Sequence, residues 1–281
     1  MKARPVRTGF VVSTLAMMTA AWPASAQIVA PAGRTLFNEG VLIRSLLRYD
    51  TFDETAPGQE VERWRNVWAV VWGARPRLSL SLTAPLIRLE MPGPLGEHRR
   101  TRSGDATLFA RYDAWRKLVP GGYTRLAPEI GVKLPTGGAF STGSTDLLAG
   151  LVLSHVRGAN WWIGDVQWSR FGDGDGGLRR GDRWRADLAY LRRLVPSKGP
   201  GVPMLLWVAE LNFETAGSSR RAGATISDSG GDVLFFSPGA EWIISRRIVL
   251  EAAVPIAVRV ALRGDQPRPD KSMVMGVRWL F

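Results

Sequence analysis

The stretch Leu78-Ser79-Leu80-Ser81-Leu82-Thr83-Ala84-Pro85-Leu86 alternates apolar and hydrophilic side chains almost without interruption. Successive side chains of a β-strand point to opposite faces, so the stretch predicts a strand with one apolar and one polar face. Water-soluble β-sandwiches and membrane barrels share this alternation. The choice between these two classes therefore depends on the rest of the chain.

The same two-residue rhythm recurs along the sequence. Strand-like segments lie near residues 41–52, 64–74, 78–90, 106–117, 125–134, 145–157, 160–170, 182–194, 204–214, 233–244, 249–262 and 271–281. The connections after odd-numbered segments are long, whereas most of the others are short, as at Arg75-Pro76-Arg77. Outer-membrane barrels combine short periplasmic turns with long outer loops. We therefore predict an all-β fold, a transmembrane antiparallel up-and-down β-barrel of about 12 strands.

The N-terminus has the features of a secretory signal peptide. Lys2, Arg4 and Arg7 precede an uncharged stretch over 8–21, and Ala24-Ser25-Ala26 is a small-residue cleavage site. The uncharged stretch is shorter than the ~20 residues that a membrane-spanning helix needs. We expect a signal peptide at 1–26, a short periplasmic N-terminal segment at 27–40 and an outer-membrane barrel at 41–281.

Composition limits the remaining classes. The chain has no cysteine, so disulfides cannot stabilise it after export. Its net charge of +12 falls to +9 once the three basic residues of the signal peptide are removed. Export makes nucleic acid an improbable partner for this charge and favours outer-membrane lipid, lipopolysaccharide phosphates or anionic solutes. The mature sequence holds no apolar run long enough for a spanning helix, and only a closed barrel satisfies strand backbone groups in lipid.

Aromatic residues agree with a membrane barrel. The sequence contains 12 tryptophans, and Trp64, Trp68 and Trp72 share one face of the second segment. Interfacial tryptophans of this kind form the girdles of membrane barrels. The last alternating segment ends in Trp279-Leu280-Phe281. An aromatic residue at the end of a final strand resembles the assembly signal that the barrel-assembly machinery recognises, so we assign Trp279 and Phe281 to this role.

Four stretches resemble the outer-membrane barrels of the MetA-pathway of phenol degradation family, often described as transporters. They are Val71–Leu80, Gly104–Tyr112, Lys133-Leu134-Pro135-Thr136-Gly137, and Ser237-Pro238-Gly239 followed by Leu250–Pro255. The resemblance covers nearly the whole mature chain. It implies a barrel of about this size in the outer membrane of a Gram-negative bacterium, and it suggests a small aromatic or other partly hydrophobic solute.

Charged side chains occupy the face opposite the apolar one and are predicted to line the lumen. The basic candidates are Arg44, Arg48, Arg65, Arg111, Lys117, Arg125, Lys133, Arg183, Arg185, Arg259 and Arg278. The acidic candidates are Asp50, Asp113, Glu129, Asp165, Asp187, Glu210, Glu214, Glu241 and Glu251. Charges inside a membrane protein are costly unless they are paired or hydrated. The near balance predicts ion pairs that close the barrel, a polar path that selects solutes, or both.

Enzymatic alternatives find little support in the sequence. A serine hydrolase needs a base next to its nucleophile, but the adjacent Ser154 and His155 point to opposite faces of a strand. The other histidine, His98, lies in a long loop among arginines, and no G-x-S-x-G motif occurs. We expect no catalytic, cofactor-binding or metal-binding residues and no cofactor.

The preferred function is a channel or transporter for a small solute. Twelve strands lie between a barrel filled by side chains and one with a wide aqueous channel, so a narrow or partly plugged pore is expected. The alternative from another class is a structural or adhesive barrel with a closed lumen and binding loops. An outer-membrane lipid-modifying enzyme is the third, less favoured alternative. The sequence leaves the solute and the oligomeric state open.

Overall fold

A computed structural model describes residues 40–53, 61–91, 98–195 and 203–281. These residues form a barrel of twelve strands in an antiparallel order. The strands are β1 (Val41–Asp53), β2 (Val61–Arg75), β3 (Leu78–Met91), β4 (His98–Ser103, Ala106–Tyr112 and Trp115–Val119), β5 (Gly122–Leu134), β6 (Asp146–Arg157), β7 (Asn160–Arg170), β8 (Arg183–Arg193), β9 (Met204–Ala216), β10 (Gly231–Ile243), β11 (Ile248–Ala253 and Ile256–Leu262) and β12 (Arg268–Leu280). The predicted signal peptide and residues 27–39 of the predicted N-terminal segment lie outside the described residues.

The first and last strands close the barrel. β1 pairs with β12 along its whole length, from Leu42 opposite Leu280 to Asp53 opposite Arg268. Beyond the paired residues, Phe281 N donates to Val41 O over 2.8 Å. Each neighbouring pair of strands is antiparallel, so the prediction of an up-and-down barrel of twelve strands is confirmed.

The alternation of side chains separates an apolar outer face from a polar inner face. On β2, Trp68, Val70 and Trp72 are exposed, whereas Arg63 and Arg65, which have the opposite parity, are buried. On β6, Leu147, Leu151 and Leu153 are exposed. A water-soluble protein places its apolar side chains inside, so this distribution is inverted relative to a soluble sheet.

Aromatic rings form two bands on the outer face. Near the long connections, Tyr49 stacks on Trp64 with ring centroids 4.5 Å apart, and Trp168 lies 6.5 Å from Trp184. Near the short turns, the ring of Tyr190 lies 4.5 Å from Trp162 and 6.1 Å from Trp207. Trp72, Trp242 and Trp279 lie towards the same rim as this second group. The two bands are arranged like the girdles that flank the apolar zone of membrane barrels.

The short connections are tight turns. β2 and β3 are joined by Pro76-Arg77, with Arg77 at φ 73°, and β4 and β5 are joined by Pro120-Gly121, with Gly121 at φ 74°. This second turn is shorter than the predicted connection 118–124, because both strands continue through the predicted loop. A left-handed residue in each turn lets the chain reverse within two residues.

The loops contain structure that the sequence did not predict. The segment His98–Ser103 extends β4 beyond the predicted start at 106 and pairs with the end of β3. Leu178–Arg179, Arg220–Arg221 and Ala224–Thr225 form a small three-stranded sheet between two long loops. A short 3-10 turn, Asp175–Gly177, precedes that sheet.

Within the described residues, no helix has both the length and the apolar character needed to cross a bilayer.

Candidate functional site: the charged lumen

The inner face of the barrel carries nearly all of the charged side chains that the sequence selected. Of the twenty candidates, eighteen are buried or half-buried, and two, Lys117 and Arg259, are exposed. Most of the eighteen contact charged partners on neighbouring strands or across the lumen. The barrel therefore has a charged interior built from side chains that alternate with the apolar outer face.

The prediction that Lys117 and Arg259 line the lumen is wrong for the same physical reason at both positions. Between Arg111 and Trp115, β4 advances four residues while its partner β5 advances three. Between Ala257 and Arg259, β11 advances two residues while β10 advances one. Each extra residue reverses which side chains face inward. Both cations are therefore exposed, opposite Thr124 and Leu234.

A belt of hydrogen bonds runs around one half of the inner wall. It consists of Arg111, Glu129, Gln167, Arg185, Asp187, Asn212 and Ser237, on β4, β5, β7, β8, β9 and β10. Arg111 Nη2 donates to Glu129 Oε2 over 2.6 Å, and Gln167 Nε2 donates to Glu129 Oε1 over 3.2 Å. Asn212 Nδ2 donates to Asp187 Oδ1 over 2.9 Å, and Asn212 Oδ1 accepts from Ser237 Oγ over 2.8 Å. Gly150 is paired with Glu129, and a Cβ at this position would lie 2.9 Å from Glu129 Oε1. The glycine therefore leaves space for the carboxylate.

Two ion-pair groups hold the strands near the closure of the barrel. Glu251 on β11 accepts from Arg44 Nε at 2.6 Å and lies 2.8 Å from Arg278 Nη2. Arg278 also lies 2.5 Å from Glu241 on β10. These contacts join β1, β10, β11 and β12, so the charges act as a brace across the seam where the first and last strands meet.

The second group surrounds Asp50, a residue close to the end of β1. Its carboxylate accepts from Arg48 Nε at 2.6 Å, Arg63 Nη2 at 2.7 Å and Ser272 Oγ at 2.7 Å. Arg63 also lies over the ring of Phe52, 4.7 Å from its centroid. The sequence analysis did not include Arg63 among the lumen candidates, because the residue falls at the end of the predicted loop 53–63. In the structure Arg63 belongs to β2.

A mouth cluster lies where the long loops meet the rim. It consists of Asp105, Lys133, Thr142, Ser144, Asp146 and Arg180. Lys133 Nζ lies 2.8 Å from Asp105 and 2.9 Å from Asp146, and Arg180 Nη2 donates to Asp146 over 2.8 Å. Burial lowers the pKa of Arg180 to about 10, against the opposing effect of Asp146, so Arg180 remains charged at neutral pH.

The mouth cluster joins two stretches singled out in the sequence analysis, residues 104–112 and 133–137. Asp105, from the stretch 104–112, accepts a hydrogen bond from the backbone of Gly137, from the stretch 133–137, over 3.1 Å. Thr136 Oγ1 accepts from the backbone N–H of Ala106 over 2.9 Å. Backbone of Gly104 approaches Gly137 so closely that a Cβ at Gly137 would lie 2.7 Å from it. These motifs therefore fix the loop after β5 against the rim.

Apolar side chains occupy the inner face towards the short turns. This apolar ring consists of Ala127, Val152, Ile163, Ala189, Leu191, Leu206, Val208, Ala253 and Val274. All nine are buried and pack together, with Trp161 and Met204 against them. The lumen thus passes from a charged region to an apolar region along its axis.

Ser154 and His155 do not form a catalytic pair. Ser154 is buried on the inner face, whereas His155 Nδ1 lies 2.8 Å from Thr124 Oγ1 on the neighbouring strand. In the part of the chain that the structure describes, no group of three or more His, Cys, Asp or Glu side chains is arranged to hold a metal ion.

A closed antiparallel barrel with an apolar outside and a charged inside defines the class of the protein: its architecture is that of the outer-membrane β-barrels. The COG4313 outer membrane channel from Pseudomonas putida F1 has a similar fold, with a TM-score of 0.72 and 14% identity over 88% of this chain and 97% of that one. The transport unit of the autotransporter AIDA-I from Escherichia coli gives a TM-score of 0.54 and 10% identity over 100% of both chains. The β domain of the Bordetella autotransporter BrkA gives 0.51 and 12% identity over 87% of this chain and 100% of that one.

At these identities the likeness concerns the fold alone. No protein-family model and no curated protein matches the sequence.

Proposed function

We propose that the protein is an outer-membrane channel for a small, partly hydrophobic solute in a Gram-negative bacterium. The observation that carries the proposal is the combination of an apolar, aromatic-banded exterior with a charged inner face that continues into an apolar ring. Such a lumen offers charges to orient a solute and apolar side chains to contact its hydrocarbon part. The resemblance to the phenol-degradation barrels makes an aromatic compound the first solute to test.

One observation favours a second candidate, a structural barrel with a closed lumen. Many inner side chains are almost fully buried by their neighbours, including Arg65, Arg125 and Glu210. Side chains that fill a lumen stabilise the wall and reduce the space for a solute. In this candidate the exposed arginines at the end with the long connections, such as Arg100, Arg220 and Arg221, would bind lipopolysaccharide phosphates or another anionic partner.

Conductance separates the two candidates. We expect the refolded chain 27–281 to produce discrete, reproducible current steps in planar lipid bilayers, because the charged inner face supports a hydrated path. A protein-free bilayer and the heat-denatured protein serve as controls. Silent insertions of a correctly folded barrel would contradict the channel and favour the structural barrel. Binding of lipopolysaccharide to those silent barrels would then test the role of the loop arginines.

Location in a membrane can be tested on the outer face. Leu151 is 46% exposed near the middle of β6, and Leu147 is 57% exposed on the same face at the start of β6. Leu151→Arg is expected to lower the free energy of unfolding in vesicles by about 2–4 kcal/mol, and Leu147→Arg by about 0–1 kcal/mol, because a cation costs most at the bilayer midplane. Urea titrations followed by tryptophan fluorescence give both values. Equal effects at the two sites would contradict burial of this face in lipid.

A further inference from the structure

Charges of opposite sign are separated on two walls of the lumen. The basic wall, on β1 and β2, carries Arg44, Arg48, Arg63 and Arg65 with Asp50 as its acidic member. The acidic wall, on β7, β8 and β9, carries Asp165, Asp187, Glu210 and Glu214 together with Arg183 and Arg185. In a ring of twelve strands, β1 lies six strands from β7, so the two walls face each other across the lumen.

Charged groups of the two walls lie at a similar height along the barrel axis. The guanidinium of Arg48 on β1 lies 5.9 Å from the ring centroid of Phe235 on β10. Phe235 is paired with Asn212, which donates to Asp187, and Asp187 stands directly opposite Asp165. The electric field at this level therefore runs across the lumen, from the arginines to the carboxylates.

Asp165 is a carboxylate of the acidic wall with neither oxygen in a hydrogen bond among the described residues. It is 5% exposed. The nearest cationic group, Arg185 Nη2, lies 3.9 Å from Oδ1, which is too long for a hydrogen bond. Asp187, its cross-strand neighbour, is bonded to Asn212 and lies 2.9 Å from Arg185 Nε. A buried carboxylate without a donor is costly, so Asp165 has the properties of a site for an external cationic donor.

We propose that this level of the lumen binds a small zwitterion, with its ammonium group at Asp165 and its carboxylate directed towards Arg48 and Arg65. The proposal rests on the proposed channel function and specifies the chemistry of its solute. An ammonium group supplies the donors that Asp165 lacks, and the transverse field favours a dipolar solute over one that carries a single charge. The apolar ring next to this level can contact a hydrocarbon body, so an aromatic amino acid is a suitable probe.

The test measures block of the single-channel current by four compounds of similar size. They are L-phenylalanine, phenethylammonium, 3-phenylpropionate and the uncharged 3-phenylpropanamide. In the unaltered protein we expect phenylalanine to block at the lowest concentration. Asp165→Asn is expected to weaken the block by phenylalanine and phenethylammonium about tenfold, because it removes a charge-assisted hydrogen bond, and to leave the block by 3-phenylpropionate unchanged or stronger. Arg65→Gln is expected to weaken the block by phenylalanine and by 3-phenylpropionate instead.

Glu90→Gln is the control. Glu90 is a carboxylate of β3 outside the set of lumen charges, and it lies 2.5 Å from Arg88, which is 45% exposed. The substitution should leave all four blocks unchanged. Thermal stabilisation of the detergent-solubilised barrel by phenylalanine, again compared with Asp165→Asn, gives a second measurement that needs no current.

The outcomes distinguish the two proposals. A conducting barrel whose block by phenylalanine is the same in Asp165→Asn overturns the zwitterion site and leaves the channel intact. Equal block by phenylalanine and 3-phenylpropanamide in the unaltered protein overturns it as well. A folded barrel that neither conducts nor is stabilised by phenylalanine overturns both proposals.

Discussion

Replacing Glu251 by glutamine is expected to lower the free energy of unfolding of the barrel by about 3–5 kcal/mol. The side chain is 0% exposed and lies 2.6 Å from Arg44 and 2.8 Å from Arg278. Loss of its charge leaves two buried guanidinium groups with Glu241 as the remaining carboxylate of this group. A Cβ at Gly276 would collide with Glu251. The glycine therefore leaves room for this carboxylate on the inner wall.

The measurement is reversible unfolding in lipid vesicles, with Glu90→Gln as the matched control. Glu90 pairs with Arg88, which is 45% exposed, so its loss should cost less than about 1 kcal/mol. A double variant, Arg44→Met with Glu251→Met, retains the pair of Arg278 with Glu241 and should recover most of the lost stability, because apolar pairs often replace buried ion pairs without penalty. Equal losses for Glu251→Gln and Glu90→Gln would show that the brace across the seam contributes no more than a surface pair.

Removal of residues 279–281 is expected to abolish most of the folded barrel. The deletion eliminates the pairing of Leu280 with Leu42 and of Trp279 with Ile43, and the two backbone hydrogen bonds between Phe281 and Val41. It also removes the bond from Leu280 N to Arg247 O at the β10–β11 turn. An open seam leaves backbone groups without partners in lipid, where each one costs several kcal/mol. Refolding yield, read from the shift in electrophoretic mobility between heated and unheated samples, checks the expectation.

Phe281→Ala separates closure of the barrel from recognition by the assembly machinery. The side chain of Phe281 is 70% exposed, and the substitution keeps the backbone bonds to Val41. We expect normal refolding in vitro but a reduced amount of barrel in the outer membrane of cells. Equal amounts of Phe281→Ala and unaltered protein in cells would contradict the proposal that Phe281, with Trp279, is an assembly signal.

The regular strands could be predicted from sequence because their alternation is set by geometry. Leu78, Leu80 and Leu82 alternate with polar residues, and the pleat of any strand places them on one face. The same rule identified the inner charges of β5, where Arg125, Glu129 and Lys133 are all buried. Since membrane strands need about ten residues, the count of twelve follows from the length of the chain and the spacing of the turns.

The rule failed where a strand contains an extra residue. The register shifts before Trp115 and Arg259 reverse the inner and outer faces, and nothing in the two-residue pattern marks them. The sequence predicts that β4 starts near residue 106, whereas the strand begins at His98 and pairs there with the end of β3. Such irregularities depend on the partner strand, so they appear only when the pairing is known.

Loop residues of the candidate site were missed for a different reason. Asp105, Asp146 and Arg180 come together in the mouth cluster through tertiary contacts, although they are widely separated in sequence. Arg180 lies in the predicted connection between the strand segments 160–170 and 182–194, and the structure buries it against Asp146 and Phe171. A charged loop residue has no periodicity, so its burial cannot be read from its neighbours.

The spacing of the two aromatic bands determines which bilayer the barrel fits. Trp64 and Trp72 are both on the outer face of β2, and at about 3.3 Å per residue they are separated by roughly 26 Å along the strand. A tilt of about 40° reduces this distance to roughly 20 Å along the bilayer normal. The barrel should therefore experience hydrophobic mismatch in bilayers of long acyl chains and insert with the least distortion in thin ones, a property that matches the reduced thickness of bacterial outer membranes.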